Sequence, residues 1–306
     1  MKSLHQDRSA PGSKSSRRSF LQQTALAGGG LFFLAAGSNR LGAEPAAGPA
    51  PGATNPTLAT LHRLRTIHGN FTDQEVPEET LQAILQTSVR AANASNMQCY
   101  SIVVVRDREM MQKVCGYRGS RLLLYCADHN RLAASARSLG HAYQPDDVTA
   151  FVTAVIDTTL AAQTAAIAAR SCGVDYLLTN GIHRGDMNRH WKLLDLPQKH
   201  CFPVIALVLG YPAKEPDSLK GRLSGTGVIH EGKYHHVTPE EAGEITRIYD
   251  DESRHLWIDA GQNWRTQGYK HYLDWMFTAW MGRPEKRTET PTQMLEIIKR
   301  LGYLEA

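Results

Sequence analysis

The apolar segment 148–170 constrains the fold more than any other feature of the chain. Between Val148 and Arg170 the only charged side chain is Asp157, and apolar residues occupy most faces of the helix that the segment predicts. A helix that is apolar nearly all round is buried on most sides. Threonines, Gln163 and Asp157 interrupt the segment too often for a membrane span, and its alanines allow close helix approach. We therefore predict a core helix that also contacts a second subunit and is ended by Gly173 as a left-handed cap.

Residues 1–43 have the layout of an export signal. A polar, basic part reaches Arg18, an apolar part follows over 20–37, and small residues lead to Ala43. Within it, the motif SRRSFLQ at 16–22 resembles the twin-arginine signature. The prediction is export in the folded state through the twin-arginine translocase to the periplasm, with an uncleaved membrane anchor as the alternative. That route also carries proteins already loaded with a cofactor, which favours a cofactor-containing protein.

Removal of this signal changes the charge of the protein. Six of the 34 basic residues and one of the 30 acidic residues lie in the first 43, which leaves 28 basic and 29 acidic residues. Because the mature chain is then close to neutral, its composition argues against a nucleic-acid partner. Residues 44–57, rich in Pro, Ala and Gly, predict a flexible leader, and residues 58–306 predict the folded part.

The cysteines and histidines give no metal-binding pattern. The five cysteines form no CxxC pair, and their apolar neighbours predict buried thiols. His235 and His236 are adjacent and would point to opposite faces of a strand, so we expect solvated histidines and no metal site.

Two basic segments are candidates for binding a phosphate group. The first, HRLRTIHGNF at 62–71, brings Arg63, Arg65, Thr66 and His68 together at the end of a predicted helix. Charge-assisted donors that converge on one point suit a phosphate, although a solvated basic helix end is the alternative interpretation. The second is Lys220-Gly221-Arg222, in which a glycine between two cations leaves room for the backbone to approach an anion.

The remaining pattern predicts alternating helices and strands. An amide-rich stretch, 93–98, precedes the first strand and could bind the polar edge of a heteroaromatic ring or be an ordinary loop. Predicted strands are 101–106, 121–127 and a central strand 202–210, with a hairpin over 228–237. Predicted helices are 58–65, 77–92, 107–115, 185–194, 239–258, 267–281 and 292–300. The aromatic residues after 256 suit a flap over a flat ligand or packing against a neighbour.

Six segments in the same order resemble the FMN-dependent nitroreductase family, in particular its oxygen-insensitive nitroreductase and flavin reductase branch. They are RTIH at 65–68, RAANASNMQCYSIVVVRD at 90–107, LYCADHNR at 124–131, IDTTLAAQTAAIAARSCG at 156–173, LDLPQKHCFPVIALVLGYPA at 194–213 and LKGRL at 219–223. The resemblance implies an α+β fold, with a mainly antiparallel sheet flanked by helices. It also implies an intertwined homodimer that holds FMN at its interface, and a C-terminal helical extension from about residue 239.

The resemblance also implies a role for particular residues. Those that would hold the FMN phosphate are Arg65, Thr66, His68, Lys220 and Arg222. Those that would bind the ribityl chain and the pyrimidine edge are Asn93, Ser95, Asn96 and Gln98. Thr179, Asn180 and Gly181 would present a backbone N–H group to flavin N5. Because the flavin carries the chemistry, no catalytic side chain is expected, although Arg118 could add positive charge near the ring.

The function that the resemblance implies is two-electron reduction of nitroaromatics, quinones or similar conjugated acceptors. The donor would be NAD(P)H or a periplasmic or membrane redox partner, since the basic segment associated with the NADPH phosphate is only partly kept, in Arg265 and Arg283. The alternatives are a flavin-carrying electron-transfer or binding protein without turnover, and a reductive dehalogenase or ene-type reductase on the same scaffold.

Overall fold

The computed structural model describes residues 55–282 and 289–304. The predicted export signal and most of the predicted leader lie outside the described residues. Asn55 is the first described residue, and its side chain caps the first helix by accepting from the backbone N–H of Thr57 and Leu58. The predicted start of the folded part, residue 58, is therefore late by two residues, because this helix begins at Pro56.

Four strands form one antiparallel sheet. They are β1 (Tyr100–Val105), β2 (Arg121–Asp128), β3 (Asp175–Thr179) and β4 (Cys201–Gly210), arranged in the order β1-β2-β4-β3. Every neighbouring pair is antiparallel, with Leu124 opposite both Val103 and Ala206. The predicted antiparallel sheet is thus confirmed, and the strand predicted to be central, β4, is one of the two inner strands.

Helices cover both faces of the sheet. They are α1 (Pro56–His62), α2 (Glu78–Ser88), α3 (Arg108–Cys115), α4 (Asn130–Ser138), α5 (Val148–Ser171), α6 (Arg189–Leu194), α7 (Pro239–Asp250), α8 (Tyr272–Trp275) and α9 (Glu289–Arg300). Because side chains alternate along a strand, Leu122 and Leu124 of β2 pack with α3, α6 and α9. Leu123 and Tyr125 face the other way and pack with α2 and α5. The α+β architecture that the sequence predicts is confirmed.

Helix α5 is the predicted core helix, and its small residues permit close packing as expected. Ser88 of α2 donates to the carbonyl of Ala161 at 2.9 Å and is also 2.9 Å from the hydroxyl of Tyr125 on β2. Gly173 follows the helix with φ of 74°, which confirms the left-handed cap. By length and composition α5 could also cross a membrane, but it packs along β2, β4 and α2.

We predicted that α5 is buried on most sides. In a single chain only one of its sides is buried. Its alanines and Asp157 face the sheet and are buried. Val148, Val152, Ile156 and Leu160 are 42–54% exposed and recur every four residues, so they form one apolar stripe along the helix. We call these four residues the α5 stripe.

Two predicted elements are shorter than expected or absent. The helix predicted over 185–194 begins only at Arg189, because Gly185 has φ of 66° and interrupts it. The hairpin predicted over 228–237 is wrong, since this segment contains no strand. The backbone turns just before the segment, at Gly225 and Gly227, and within it at Gly232, all with positive φ. The N–H of His235 donates to the His230 ring and not to a cross-strand carbonyl.

The C-terminal extension has an aromatic core of its own. The predicted capping box is confirmed at the start of α7, where Thr238 and Glu241 each accept from the other's backbone N–H. Helix α7 ends at Asp250, eight residues earlier than predicted. Helix α8 begins at Tyr272 and continues as a π-helix, Met276–Trp280. The buried aromatic residues of the C-terminal extension pack together. They are Trp257, Trp264, Tyr272 and Trp275.

Candidate functional site

The first predicted phosphate segment lies against the start of β3. The backbone N–H of Ile67 donates to the carbonyl of Tyr176 at 2.9 Å. Arg65 forms a two-point ion pair with the buried Asp175, at 2.8 and 2.7 Å, and also contacts Glu215 at 2.6 Å. These partners, Asp175 first, raise the pKa of Arg65 above its ordinary value. The Arg65 guanidinium therefore anchors this segment to the sheet through carboxylates.

The neighbouring Thr66 and His68 are placed differently from Arg65. Both are exposed, and neither side chain has a hydrogen-bond partner among the residues of 55–282 and 289–304. They stand on either side of Ile67, whose side chain is buried. A hydroxyl and an imidazole that are exposed on an anchored backbone can bind an anion from solvent without breaking an existing contact.

The second predicted phosphate segment packs on the C-terminal extension. Lys220 Nζ donates to the carbonyl of Trp257 at 2.9 Å and to Asp259 Oδ1 at 2.7 Å. A Cβ atom at Gly221 would lie 1.9 Å from the Arg254 carbonyl oxygen, and the Gly221 N–H donates to His255 at 3.0 Å. The glycine is thus required by close packing on 254–255, which corrects the sequence-based explanation that it makes room for an anion.

The two basic segments approach each other near Tyr176. Burial raises the pKa of the Tyr176 hydroxyl, while the positive charges of Arg170 and Arg222 act in the opposite direction. Tyr176 is also the residue whose carbonyl holds Ile67. Arg222 donates only to carbonyls of its own loop, at 3.1 and 2.8 Å. Arg222 is therefore near enough to act electrostatically on Tyr176, while the convergence of the two cationic segments on one phosphate stays a prediction.

Tyr117 is a site residue that the sequence did not reveal. A Cβ atom at Gly69 would lie 2.9 Å from its ring, and one at Gly181 would lie 3.8 Å from it. The Tyr117 ring therefore lies between the segment that follows His68 and the loop after β3. The available signal was an aromatic residue directly after a helix-ending glycine, Gly116, whose φ is 82°.

The predicted N5 segment forms a tight turn after β3. The Gly181 N–H donates to Thr179 Oγ1 at 2.9 Å, and the Asn180 carbonyl accepts from His183 at 2.9 Å. A Cβ atom at Gly181 would lie 3.0 Å from that hydroxyl and 3.3 Å from the Cys115 carbonyl. A side chain at this position would require α3 or the turn to shift by a few tenths of an ångström, so glycine suits their close approach. The Gly181 N–H already has a partner within the chain, and a ligand atom there would compete with Thr179.

Arg189 ties this turn to the end of α3. Its guanidinium donates to five backbone carbonyls, at 2.6–3.3 Å, and has no carboxylate partner in the described part of the chain. These carbonyls belong to Lys113, Val114, Ile182, Arg184 and Asp186. Burial lowers the pKa of Arg189. The next residue, His190, is fully buried and lies 2.7 Å from the same Ile182 carbonyl.

Arg118, which was expected near the ring, forms a surface ion pair with Glu109 at 2.8 Å. Arg189, which the sequence did not single out, is the more buried cation on this side of the fold. Arg265 stacks on Trp257 and Trp264, with its guanidinium carbon 4.8 and 4.5 Å from the two ring centroids. Arg283 lies outside the described residues.

The amide-rich loop is held by Asp157, the only acidic residue of α5. Asp157, which is buried, accepts from the backbone N–H of Ala94 at 2.9 Å and of Cys99 at 3.3 Å. Asn93 accepts from the Gln98 N–H at 3.1 Å, which closes the loop. The residues between are held in a backbone conformation that non-glycine residues rarely adopt, with φ of 51° at Ser95, 57° at Asn96 and 51° at Gln98.

The structure does not bring all predicted site residues together in one chain. A cavity of about 330 Å³ adjoins Tyr117 and Gly181, and another of about 360 Å³ lies between the amide-rich loop and α5. The two share no lining residue. Within the described ranges, no hydrogen bond joins residues 93–98 to residues 65–68 or 179–181. In a single chain the amide-rich loop is therefore a separate half of the predicted site.

Comparisons with known proteins agree with this architecture. The sequence profile of the Nitroreductase family matches residues 61–136. The chain is 30% identical over 230 residues to the oxygen-insensitive NADPH nitroreductase of Salmonella typhimurium, which covers 72% of this chain and 90% of the relative. It is 29% identical over 242 residues to the FMN reductase (NADPH) of Bacillus subtilis, covering 72% and 95%. A solved nitroreductase structure from B. subtilis matches with a TM-score of 0.69 at 25% identity, covering 82% of this chain and 100% of that one. The chain belongs to the nitroreductase family.

Proposed function

We propose that this protein is an exported FMN-dependent oxidoreductase that passes two electrons to nitroaromatics, quinones or similar conjugated acceptors. The observation that carries the proposal is the arrangement along β3, with the first cationic segment against its start, the charge of Arg222 acting on Tyr176, and Tyr117 beside the Gly181 turn that follows its end. The names of the relatives, an NADPH nitroreductase and an FMN reductase, support the same class of reaction.

The residues at the start of β3 fit a flavin phosphate. Phosphate monoesters carry close to two negative charges at neutral pH and accept several charge-assisted hydrogen bonds. Thr66, His68 and Arg222 have donors that are free of side-chain partners in the described residues, and Lys220 would exchange Asp259 for the phosphate. Arg65 adds positive charge while it keeps the segment attached to Asp175. Donors of this kind select an anion over a neutral ligand.

A second protomer would complete the site. The α5 stripe is an apolar surface that one chain leaves exposed, and it runs beside the cavity under the amide-rich loop, which Ile156 and Leu160 line. An intertwined homodimer buries this stripe and sets Asn93, Ser95, Asn96 and Gln98 of one protomer against the β3 end of its partner. The alternating donors and acceptors of these side chains then match the polar edge of the ring.

In this mechanism the side chains bind and orient the flavin, the donor and the acceptor, and none is required as a general acid or base. Bound FMN supplies two-electron chemistry at its N5 atom. Tyr117 and the Gly181 turn define one wall beside the ring, while Arg189 keeps that turn fixed against α3. When the site holds each reactant against the ring in the correct orientation, the reaction loses less translational and rotational entropy.

The donor is NAD(P)H or a redox partner of the periplasm or membrane. Of the two arginines expected at an NADPH phosphate, Arg265 is stacked between two tryptophans of the C-terminal extension. It donates to the Asp250 carbonyl at 2.7 Å. This placement favours a structural role for Arg265 and leaves room for a donor other than NADPH.

Spectra and turnover of the purified mature protein test the proposal. The protein should carry the visible absorption of FMN and should reduce a nitrofuran and a quinone, with either NADPH or a reduced viologen dye as donor. Turnover with the viologen alone supports the partner-fed enzyme. A protein that neither contains FMN nor takes it up contradicts the proposed function, and a yellow protein without turnover supports the flavin carrier.

Oligomeric state is a separate test. We expect a dimer by light scattering, and we expect Ile156→Asp to produce a monomer that loses FMN, because a charge at a buried interface is costly. A wild-type monomer that retains FMN contradicts the assembly of the site from two chains.

Export depends on the twin-arginine motif in this proposal. Changing Arg17 and Arg18 to lysine should leave the precursor in the cytoplasm, and fractionation of cells that express either form measures this. Equal amounts of both forms in the periplasm contradict the assignment of the route.

A further inference from the structure

Among the residues that the structure describes, the cavity beside Tyr117 and Gly181 is lined by cations and by no acidic side chain. Its volume is about 330 Å³, and its walls come from α3, from the turn that follows β3 and from the start of α6. The lining residues are Gln112, Lys113, Cys115, Gly116, Tyr117, Gly181, Arg184 and Arg189. A volume near the lower end of typical ligand pockets, which begin at about 300 Å³, suits a molecule with one aromatic ring.

The two outer cations are uncompensated. Lys113 and Arg184 are exposed, and in the described part of the chain neither side chain has a hydrogen bond or an ion pair. Other arginines near α3 are paired, as the exposed Arg118 is with Glu109 and the half-buried Arg108 is with Asp73 and Glu75. Exposed charges without a partner are free to attract an anionic ligand, although water and salt weaken the attraction.

Arg189 neutralises the partial negative charge at the C-terminal end of α3 beside this cavity. The last carbonyls of a helix carry a partial negative charge, which would oppose an anion at this position. Arg189 donates to two of these carbonyls, those of Lys113 and Val114, at 3.1 and 3.2 Å. Asp186, whose charge acts on Arg189, is held by Asn188 and does not line the cavity. The charges of Lys113 and Arg184 therefore dominate the mouth.

We propose that this cavity is a binding subsite for anionic electron acceptors, such as nitroaromatics or quinones that carry a carboxylate or sulfonate group. Lys113 and Arg184 bind the anionic group, and the aromatic ring lies toward Tyr117 and Gly181. The assignment of substrate class rests on the proposed function, in which the Gly181 turn faces the flavin. Acceptors of the same shape without a charge bind more weakly.

A matched pair of substrates tests the subsite, because 4-nitrobenzoate and 4-nitrobenzamide have nearly the same shape and differ in charge. In the FMN-loaded enzyme, Lys113→Ala with Arg184→Ala should raise the KM for 4-nitrobenzoate about tenfold, which corresponds to the loss of one charge-assisted hydrogen bond of about 1.4 kcal/mol. The KM for 4-nitrobenzamide should change less than about twofold. Arg184→Glu should enlarge the difference.

The control removes one lysine and one arginine elsewhere on the surface. Arg137 and Lys192 are exposed and do not line the cavity, so Arg137→Ala with Lys192→Ala should leave both KM values unchanged. An equal effect of both double variants on 4-nitrobenzoate would overturn the subsite, because the effect would then come from net charge alone.

Calorimetric binding of 4-nitrobenzoate to the same proteins separates this inference from the proposed function. About tenfold weaker binding to the cavity variant, without turnover in any variant, supports the subsite and contradicts the proposed reaction. Turnover of both substrates, with equal binding to wild type and the cavity variant, supports the reaction and overturns the subsite.

Discussion

Asp157→Asn should loosen the amide-rich loop and lower the stability of the whole domain. The wild-type carboxylate accepts two buried backbone N–H groups, those of Ala94 and Cys99. A hydrogen bond to a charged group contributes about 1.5–3 kcal/mol, and a buried donor left without a partner costs about 1–3 kcal/mol. Asparagine keeps one acceptor oxygen and turns an N–H group toward the other donor. The expected loss is therefore about 2 kcal/mol for Asp157→Asn and about 4 kcal/mol for Asp157→Ala.

The strained backbone of the loop makes the effect extend to ligand binding. Ser95, Asn96 and Gln98 have positive φ angles, a conformation that costs about 1 kcal/mol or more for each non-glycine residue. The bonds to Asp157 offset that cost, so the variant should relax the loop and weaken binding of FMN.

Urea unfolding of the apoprotein at one protein concentration measures the change in stability, and titration with FMN measures the affinity. Gln163→Ala, at an exposed position of the same helix, is the control and should change the free energy of unfolding by less than about 0.5 kcal/mol. If Asp157→Asn were as stable as this control, Asp157 would not hold the loop in the way described.

Three further predictions concern the other half of the site. Lys220→Ala with Arg222→Ala should give a protein that purifies largely colourless, and retention of the full yellow absorption would contradict their placement at the phosphate. Arg189→Met removes five hydrogen bonds, so the free energy of unfolding should fall by about 3 kcal/mol and amide exchange over 180–186 should accelerate; unchanged exchange would refute the clamp. Burial lowers the pKa of His190 to about 4 from 6.5, so the unfolded chain binds a proton between these values that the folded chain does not. Stability should therefore fall with decreasing pH across this window, by up to about 1.4 kcal/mol per pH unit. His190→Gln should flatten this part of the urea-unfolding profile, and an unchanged slope would show that other groups cause it.

Local patterns were sufficient for the elements whose signals lie within a few residues. Helix α5 was predicted within one residue at its C-terminal end because its composition and Gly173 act locally. The capping box at Thr238 and the strands β1, β2 and β4 were predicted for the same reason, since alternation and end signals are short-range properties. The family resemblance added the sheet type, because the order of six segments along the chain is also a property of the sequence alone.

Local patterns failed where a side chain replaced the expected backbone partner or a glycine turned the chain. The segment 228–237 had the composition of a hairpin, yet Gly232 turns its backbone through a positive φ and a histidine ring accepts the N–H that a strand would have paired. Helix α6 was shortened by Gly185 for a related reason.

The sequence by itself therefore determined the α+β architecture, the central helix and the identity of the basic and amide-rich segments. Only the tertiary structure decided what each of these groups contacts. Arg65 is paired with Asp175, 110 residues away, and Tyr117 stands between Gly69 and Gly181. Arg189 donates to the Val114 carbonyl at the end of α3, whereas Arg118, expected near the ring, forms a surface ion pair with Glu109. The physical reason is that charge pairing and close packing depend on distances in space, which the spacing of residues along the chain does not specify.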